Sequence, residues 1–464
     1  MQGIEAQAGD ILGRVVRGRR IILAGEVAAG TTGRVTELRG LGAVRFLVIA
    51  SGRGTGPLPE GDDVELFVAD EGPAPDLVSG FRRQERLLAN PSAALVEAIA
   101  RFDPDREALV LAAPFLAVFS VAGRPVYGGR RPEWVRLEDK AVTDDVLVGA
   151  GVAVPDHEIV PAAADDLERA SARLDRGDGT VWAGDARDGF NGGAVFVRWV
   201  RDCDDRAEAL EFFTRRCARV RVAPFVEGIP CSIHGFVTDA CVAAFRPVEL
   251  VTLRSPRIPQ LRYAGAATYW DPPPEDRDVM RDAARRVGAE LRRRAAFRGA
   301  FTVDGILSAD GWVATECNPR FGAGLGYTAT VCPRLRLGLL QHAIVAGDGE
   351  ALDAGALERT VVAAADATRW GGTWTASTHP VQVVGPLPLT GDETRYRRCA
   401  PGEPADVTLE CGKGPTGGFV RGVFVRERTP VGESVARRAA AVLAFADEYV
   451  GSGFGPLSAP RSVR

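Results

Sequence analysis

The sequence predicts a multidomain protein of mixed α/β and α+β class, and three observations lead there. A chain of 464 residues is longer than one hydrophobic core organises, so it divides into two or three domains. Its first part alternates β-prone apolar runs with helical stretches, the pattern of an α/β layer structure. Its later part carries β-hairpins and long amphipathic helices. Apolar residues at 46% and charged residues at 25% are ordinary globular values.

In residues 1–132, Ile21–Gly25, Val44–Ile49 and Ala108–Leu111 read as buried strands, with Ser92–Arg101 helical between them. The segment 52–63 is a loop by its Gly, Pro and Asp content. A glycine run at Gly30–Gly33 lacks the G-x-G-x-x-G spacing of a dinucleotide fingerprint and reads as a turn. From Trp134 the character changes. Leu137-Glu138-Asp139-Lys140 reads as the opening of a helix running to Val148. A helix over Asp165–Leu174 follows, then a strand, the glycine-rich turn Gly189-Phe190-Asn191-Gly192-Gly193, and a second strand. Freed backbone N–H groups in such a turn can cradle anions. A helix over Asp205–Ala218 leads to the alternating stretch Val222–Phe236, where His234 reads as a satisfied imidazole. Arg254 and Arg257 lie in a basic stretch near Tyr263, Tyr269 and Trp270, and arginine forks of this kind bind carboxylates. Glu275–Phe297 reads as a long amphipathic helix with a solvated Arg-rich face.

Residues 301–318 are the most informative. Both arms are apolar and β-prone, and Ala309-Asp310-Gly311 fits a three-residue hairpin loop. That loop pairs Ser308 with Trp312 and sets Asp304 opposite Glu316 and Thr302 opposite Asn318, all four on one face. Like charges roughly 5 Å apart at Cβ destabilise a sheet. A divalent cation between them removes the conflict, and a set of oxygen donors without His or Cys favours magnesium.

Residues 349–464 contain a further hairpin, Asp406–Glu410 with Gly418–Val425, and a last helix over Val431–Tyr449. Lys413 sits among glycines between the hairpin arms, a setting suited to an anion or to a tight turn. Of the 57 basic residues other than histidine only Lys140 and Lys413 are lysine, an arginine bias attributable to genome composition. A net charge of −4 gives no footprint for nucleic acid. The N-terminal stretch lacks the apolar core of a signal peptide, and no apolar run reaches a membrane span. Eight cysteines without a CxxC pair read as reduced thiols, which with the other features predicts a cytoplasmic protein. Cys317 points away from the acidic face and reads as core.

Asp304, followed on the next strand by Glu316-x-Asn318-Pro319-Arg320, resembles the metal-binding signature of the ATP-grasp superfamily. The likeness implies an ATP-grasp fold: an N-terminal α/β pre-ATP-grasp domain (1–132), a nucleotide-binding and catalytic core (133–348, lid at about 152–222), and a small C-terminal α+β domain (349–464). It implies ATP and two magnesium ions as cofactors, with the metal on Asp304, Glu316 and Asn318. Lys140 becomes the phosphate lysine. Gly189, Asn191, Gly192 and Gly193 form the lid loop, Phe225 and Val226 the adenine segment, and Glu227 the ribose carboxylate. Arg320 is the catalytic arginine beside the reacting carboxylate. One departure stands out. The family's second phosphate lysine is replaced by Trp182 and Ala183, leaving Arg187 or Arg198 as substitutes.

The segments LEDK, WAGD…GFNGG, ELVTLRSP, YAGAATYWDPP and TECNPRFGAGL resemble more narrowly the actinobacterial peptide ligases of the pheganomycin type. The resemblance implies an ATP-dependent carboxylate–amine ligase working through an acyl phosphate in peptide natural-product biosynthesis. Its partners would be a small carboxylic acid such as a non-standard amino acid, and an amino acid or peptide amine; a homodimer is compatible with it. Arg254, Arg257 and Lys413 are the substrate candidates. Two other readings stay open: a small-molecule kinase on the same core, and a non-catalytic ATP-binding partner protein.

Overall fold

The structure, a computed structural model, describes residues 2–185 and 192–461. Its first sheet is parallel and four-stranded, in the order Val64–Val68, Arg45–Gly52, Arg20–Val27, Leu109–Ala112. Alternation along the inner strands feeds two cores. Ile21, Leu23, Phe46 and Val48 face one, while Ile22, Ala24, Leu47 and Ile49 face the other. Three of these strands are legible in the sequence. The fourth, Val64–Val68, is a partly exposed edge whose Glu65 pairs with Arg45, so it lacks a continuous apolar run.

A second, antiparallel sheet has the order Glu158–Pro161, Arg219–Pro224, Thr180–Gly184, Val197–Val200. Helices Ala164–Leu174 and Cys203–Arg216 cover it, and Trp182, Phe213 and Val220 fill the space between. Strands Thr180–Gly184 and Val197–Val200 are the predicted arms of the glycine-rich loop.

The third sheet has eleven strands. Gly299–Ser308 runs antiparallel between Ile229–Val237 and Gly311–Asn318. From Ile229–Val237 the sheet continues through Val248–Arg254 and Leu261–Ala267 to Gly371–Ser377, which carries the strands of the C-terminal segment. Residues after 349 therefore extend the central sheet. Helix Pro274–Ala295 buries Met280, Ala284, Val287 and Leu291 against it, and helix Ala436–Val450 packs on the C-terminal strands. Val361–Ala365 falls within helix Ala354–Ala367. No helix among the described residues is long and apolar enough to cross a membrane.

Candidate active site

The predicted hairpin forms, with a different turn. Ser308 pairs with Gly311, so the loop is the two residues Ala309 and Asp310. Gly311 holds the positive φ of 107° that the turn requires. Left unchanged, that register would bring Asp304 opposite Thr315. A β-bulge at Thr315 inserts one residue and restores the pairs Asp304–Glu316, Val303–Cys317 and Thr302–Asn318. The Thr315 hydroxyl donates to the Asp304 carbonyl at 3.3 Å and fixes the bulge. Cys317 is fully buried behind the face, as alternation requires.

Each polar group on this face has a defined neighbour. Ser232, directly across on Ile229–Val237, donates its hydroxyl to Asp304 Oδ1. The Asn318 amide donates to Asp304 Oδ2 at 3.0 Å and accepts from Arg320 at 2.9 Å. Lys140 forms an ion pair with Glu316. Arg320 lies 3.2 Å from Glu138, which also holds Arg130, so a buried acid between two guanidinium groups fixes the arginine's orientation. Burial, and next the Glu316 carboxylate, push the Asp304 carboxyl up to about 6 against the pull of Ser232, Arg320 and Lys140.

These residues fit a hard divalent cation. Among the described residues no group of three His, Cys, Asp or Glu is placed to hold a metal. An ion here would rest on the two carboxylates, with the Asn318 oxygen joining through the lone pair that Arg320 leaves. Its remaining positions would fall to water and phosphate, the coordination magnesium prefers.

The face opens into a cavity of about 730 Å³. Lys140, Gly192, Gly193, Asp304, Glu316, Asn318 and Arg320 all line it. Gly193 and Ala194 have φ of 62° and 59°, a left-handed turn at the loop's edge. Gly189, Asn191 and Arg187 lie outside the described residues. Lys140 itself is not on a helix: Asp139 accepts from the Ala141 N–H, and the helix begins only at Thr143.

The other candidates lie elsewhere. Phe225, Val226, Glu227, Arg254, Arg257 and Lys413 are absent from the cavity wall. Glu227 takes a bidentate pair from Arg254 at 2.7 and 2.6 Å, and the Arg254 guanidinium sits 4.9 Å from the Phe225 ring centre. Phe225 in turn stacks on Trp199 at 4.1 Å. Arg257 is exposed, and Lys413 is an exposed strand residue whose backbone N–H binds Thr55. Arg198 turns into the lid, where it donates to the Val195 and Val197 carbonyls and stacks 4.0 Å over Phe212. Trp182 is wholly buried and donates to Ser171, so the position of the second lysine is a core position here. His234 is buried as expected, but neither ring nitrogen has a hydrogen-bond partner, a correction to the satisfied imidazole. Burial holds its pKa down at about 3.

Sequence reasoning missed Ser232 and Glu26 on the cavity wall, and Tyr263, noted only as a neighbour of the basic stretch, lines it too. Ser232 had a weak signal, since it alternates with His234 on a strand two residues past Pro230. Which strand it would pair with was not readable.

No family model and no curated protein matches the chain. Solved structures do. An ADP complex of PurK, N5-carboxyaminoimidazole ribonucleotide synthetase, is 13% identical over 93% of this chain and 98% of its own, with a TM-score of 0.51. Biotin carboxylase from Campylobacter jejuni, solved as a beta-gamma-ATP complex, is 11% identical over 97% and 94%, with a TM-score of 0.53. Carboxyaminoimidazole ribonucleotide synthase from Aspergillus clavatus, complexed with ATP, is 13% identical over 93% and 99%, with a TM-score of 0.50. The likeness spans almost the whole of each chain and is one of architecture: this protein has the ATP-grasp fold.

Proposed function

We propose that the chain is an ATP-dependent carboxylate–amine ligase that forms an amide bond through an acyl phosphate, in the manner of a peptide ligase of natural-product biosynthesis. The observation that carries this reading is the convergence of Asp304, Glu316, Asn318, Lys140 and Arg320 on one cavity. In this reading residues 1–132 form the N-terminal domain, 133–348 the nucleotide core and 349–464 the family-specific domain. Asp304, Glu316 and Asn318 would hold magnesium, which would supply neutralisation of the phosphate charge that grows during transfer.

The chain's own groups do the rest. Lys140 places one positive charge at the phosphates, and its partner Glu316 keeps it directed into the cavity. Arg320, oriented by Glu138 and Asn318, binds the acid's carboxylate and aligns one oxygen for attack on the γ-phosphorus. That oxygen gains the phosphoryl group as ADP departs. The free amine adds to the acyl carbon to form the C–N bond while the same guanidinium stabilises the developing oxyanion; the adduct then collapses, the acyl C–O bond breaks, and phosphate leaves with the amine's proton. The loop carrying Gly192 and Gly193 keeps water from the activated acid.

The test is incubation of the full chain with ATP, magnesium and a library of amino acids, with hydroxylamine in a parallel set. Mass spectrometry should find an amide with the library alone and an acyl hydroxamate with hydroxylamine. A phosphorylated alcohol as the sole product would establish the kinase reading instead.

A further inference from the structure

The order of the parallel sheet reverses at Arg20–Val27, with Arg45–Gly52 and Val64–Val68 on one side and Leu109–Ala112 on the other. The crevice beyond the carboxyl ends of strands at such a switch point is where open parallel sheets bind ligands. Glu26 stands at that end and lines the same cavity as Asp304, Glu316 and Arg320. Its Oε1 is buried and has no hydrogen-bond partner. Burial alone acts on the carboxyl and raises it to about 7.

Buried acids are ordinarily paired, and an orphaned one needs a reason. The carboxylate lies at the cavity wall with Oε1 turned toward helix Leu77–Ala89. Gly80 abuts the carboxylate so closely that a Cβ there would lie 2.9 Å from Oε1. Leu77 and Phe81 of the same helix and Phe115 add apolar wall. Phe81 stacks on Phe115 at 5.5 Å, and the Arg320 guanidinium lies 5.5 Å from the Phe115 ring centre. Two aromatic rings thus connect the arginine assigned to the acid with the helix that borders Glu26. A metal ion would need several oxygen donors, whereas a compact ammonium on an apolar body suits one buried carboxylate among hydrocarbon.

We propose that Glu26 is the receptor for the protonated primary amine of the second substrate. On the ligase reading above, that ammonium gives a proton to the Glu26 carboxylate and the freed amine is the nucleophile; the ammonium site itself rests on the geometry.

The probe is leucinamide, which has a primary ammonium and an apolar side chain but no carboxylate; N-acetyl-leucinamide is its uncharged control. Their affinities for the full chain without ATP are read by titration with saturation-transfer NMR. Leucinamide should bind the parent and lose at least about tenfold in Glu26→Gln, while the acetylated control is unaffected by the change. Gly80→Ala, which crowds the carboxylate without removing its charge, should show a similar loss. Thermal melts confirm that both variants are folded, and Glu26→Gln, freed of a buried charge, should melt no lower than the parent. Equal leucinamide affinity in parent and Glu26→Gln, or no binding to the parent, overturns the proposal. The ligase reading fails by a separate result, the absence of any acyl hydroxamate, so the two failures are distinguishable.

Discussion

Replacing Lys140 by Met removes the only lysine on the cavity wall and leaves an acidic face without its nearest cation. The Lys140 side chain is 10% exposed and its partner Glu316 21%, so solvent screens the pair weakly. Truncating one member of such a pair costs about 2–5 kcal/mol. Most of that falls on nucleotide binding, because Trp182 is core and Arg198 is spent inside the lid. Even the lower figure weakens ATP affinity roughly 30-fold. Isothermal calorimetry with ATP and magnesium reads this directly. A second signature follows from the unpartnered Glu316 beside Asp304: the variant should melt lower than the parent without divalent cation and recover when magnesium is added. A Lys140→Met protein that binds ATP as tightly as the parent would refute the placement of the phosphate site.

The remaining predictions concern the frame around that site. Gly305→Ala would put a Cβ 2.4 Å from the Val313 carbonyl, next to the bulge, and should cost about 1–3 kcal/mol in chemical denaturation together with the magnesium response. Lys413→Met, on an exposed strand away from the cavity, should leave ATP affinity unchanged in the same calorimetry. Glu249 ties helix Ala436–Val450 to the central sheet by accepting from Ser434 and the Val435 N–H, and burial raises it from 4.5 to about 7. Between these values the folded protein keeps a proton that the unfolded chain has released, so stability falls as pH rises. Glu249→Gln should flatten the melting temperature across that window, removing a decline of order 3 kcal/mol.

The acidic face was legible because strand alternation and hairpin pairing are local rules. The pairing of Asp304 with Glu316 was reached from the sequence even though the turn was misjudged. Moving the turn to two residues shifts the register by one, and the bulge at Thr315 shifts it back. Neither step has a sequence signal beyond a polar residue in a strand. The Asp139 side chain binds the Ala141 N–H, and the helix expected to open over Leu137–Lys140 begins only at Thr143. Glu227 was expected as the ribose carboxylate from the resemblance, and nothing local shows Arg254 folding back onto it from a neighbouring strand. Glu26 was invisible for a related reason. Its meaning comes from the switch in strand order and from a cavity assembled by three sheets, and both are long-range facts.

The most direct test of the metal face is magnesium-dependent ADP release by Asp304→Asn and Glu316→Gln, each isosteric and each removing one charge. Circular dichroism first confirms that both are folded. With carboxylate and amine supplied, the parent should release ADP only when magnesium is present, and both variants should release none above background at any magnesium concentration. Near-parental release by either variant would contradict the assignment of Asp304, Glu316 and Asn318 as the site where metal and phosphate meet.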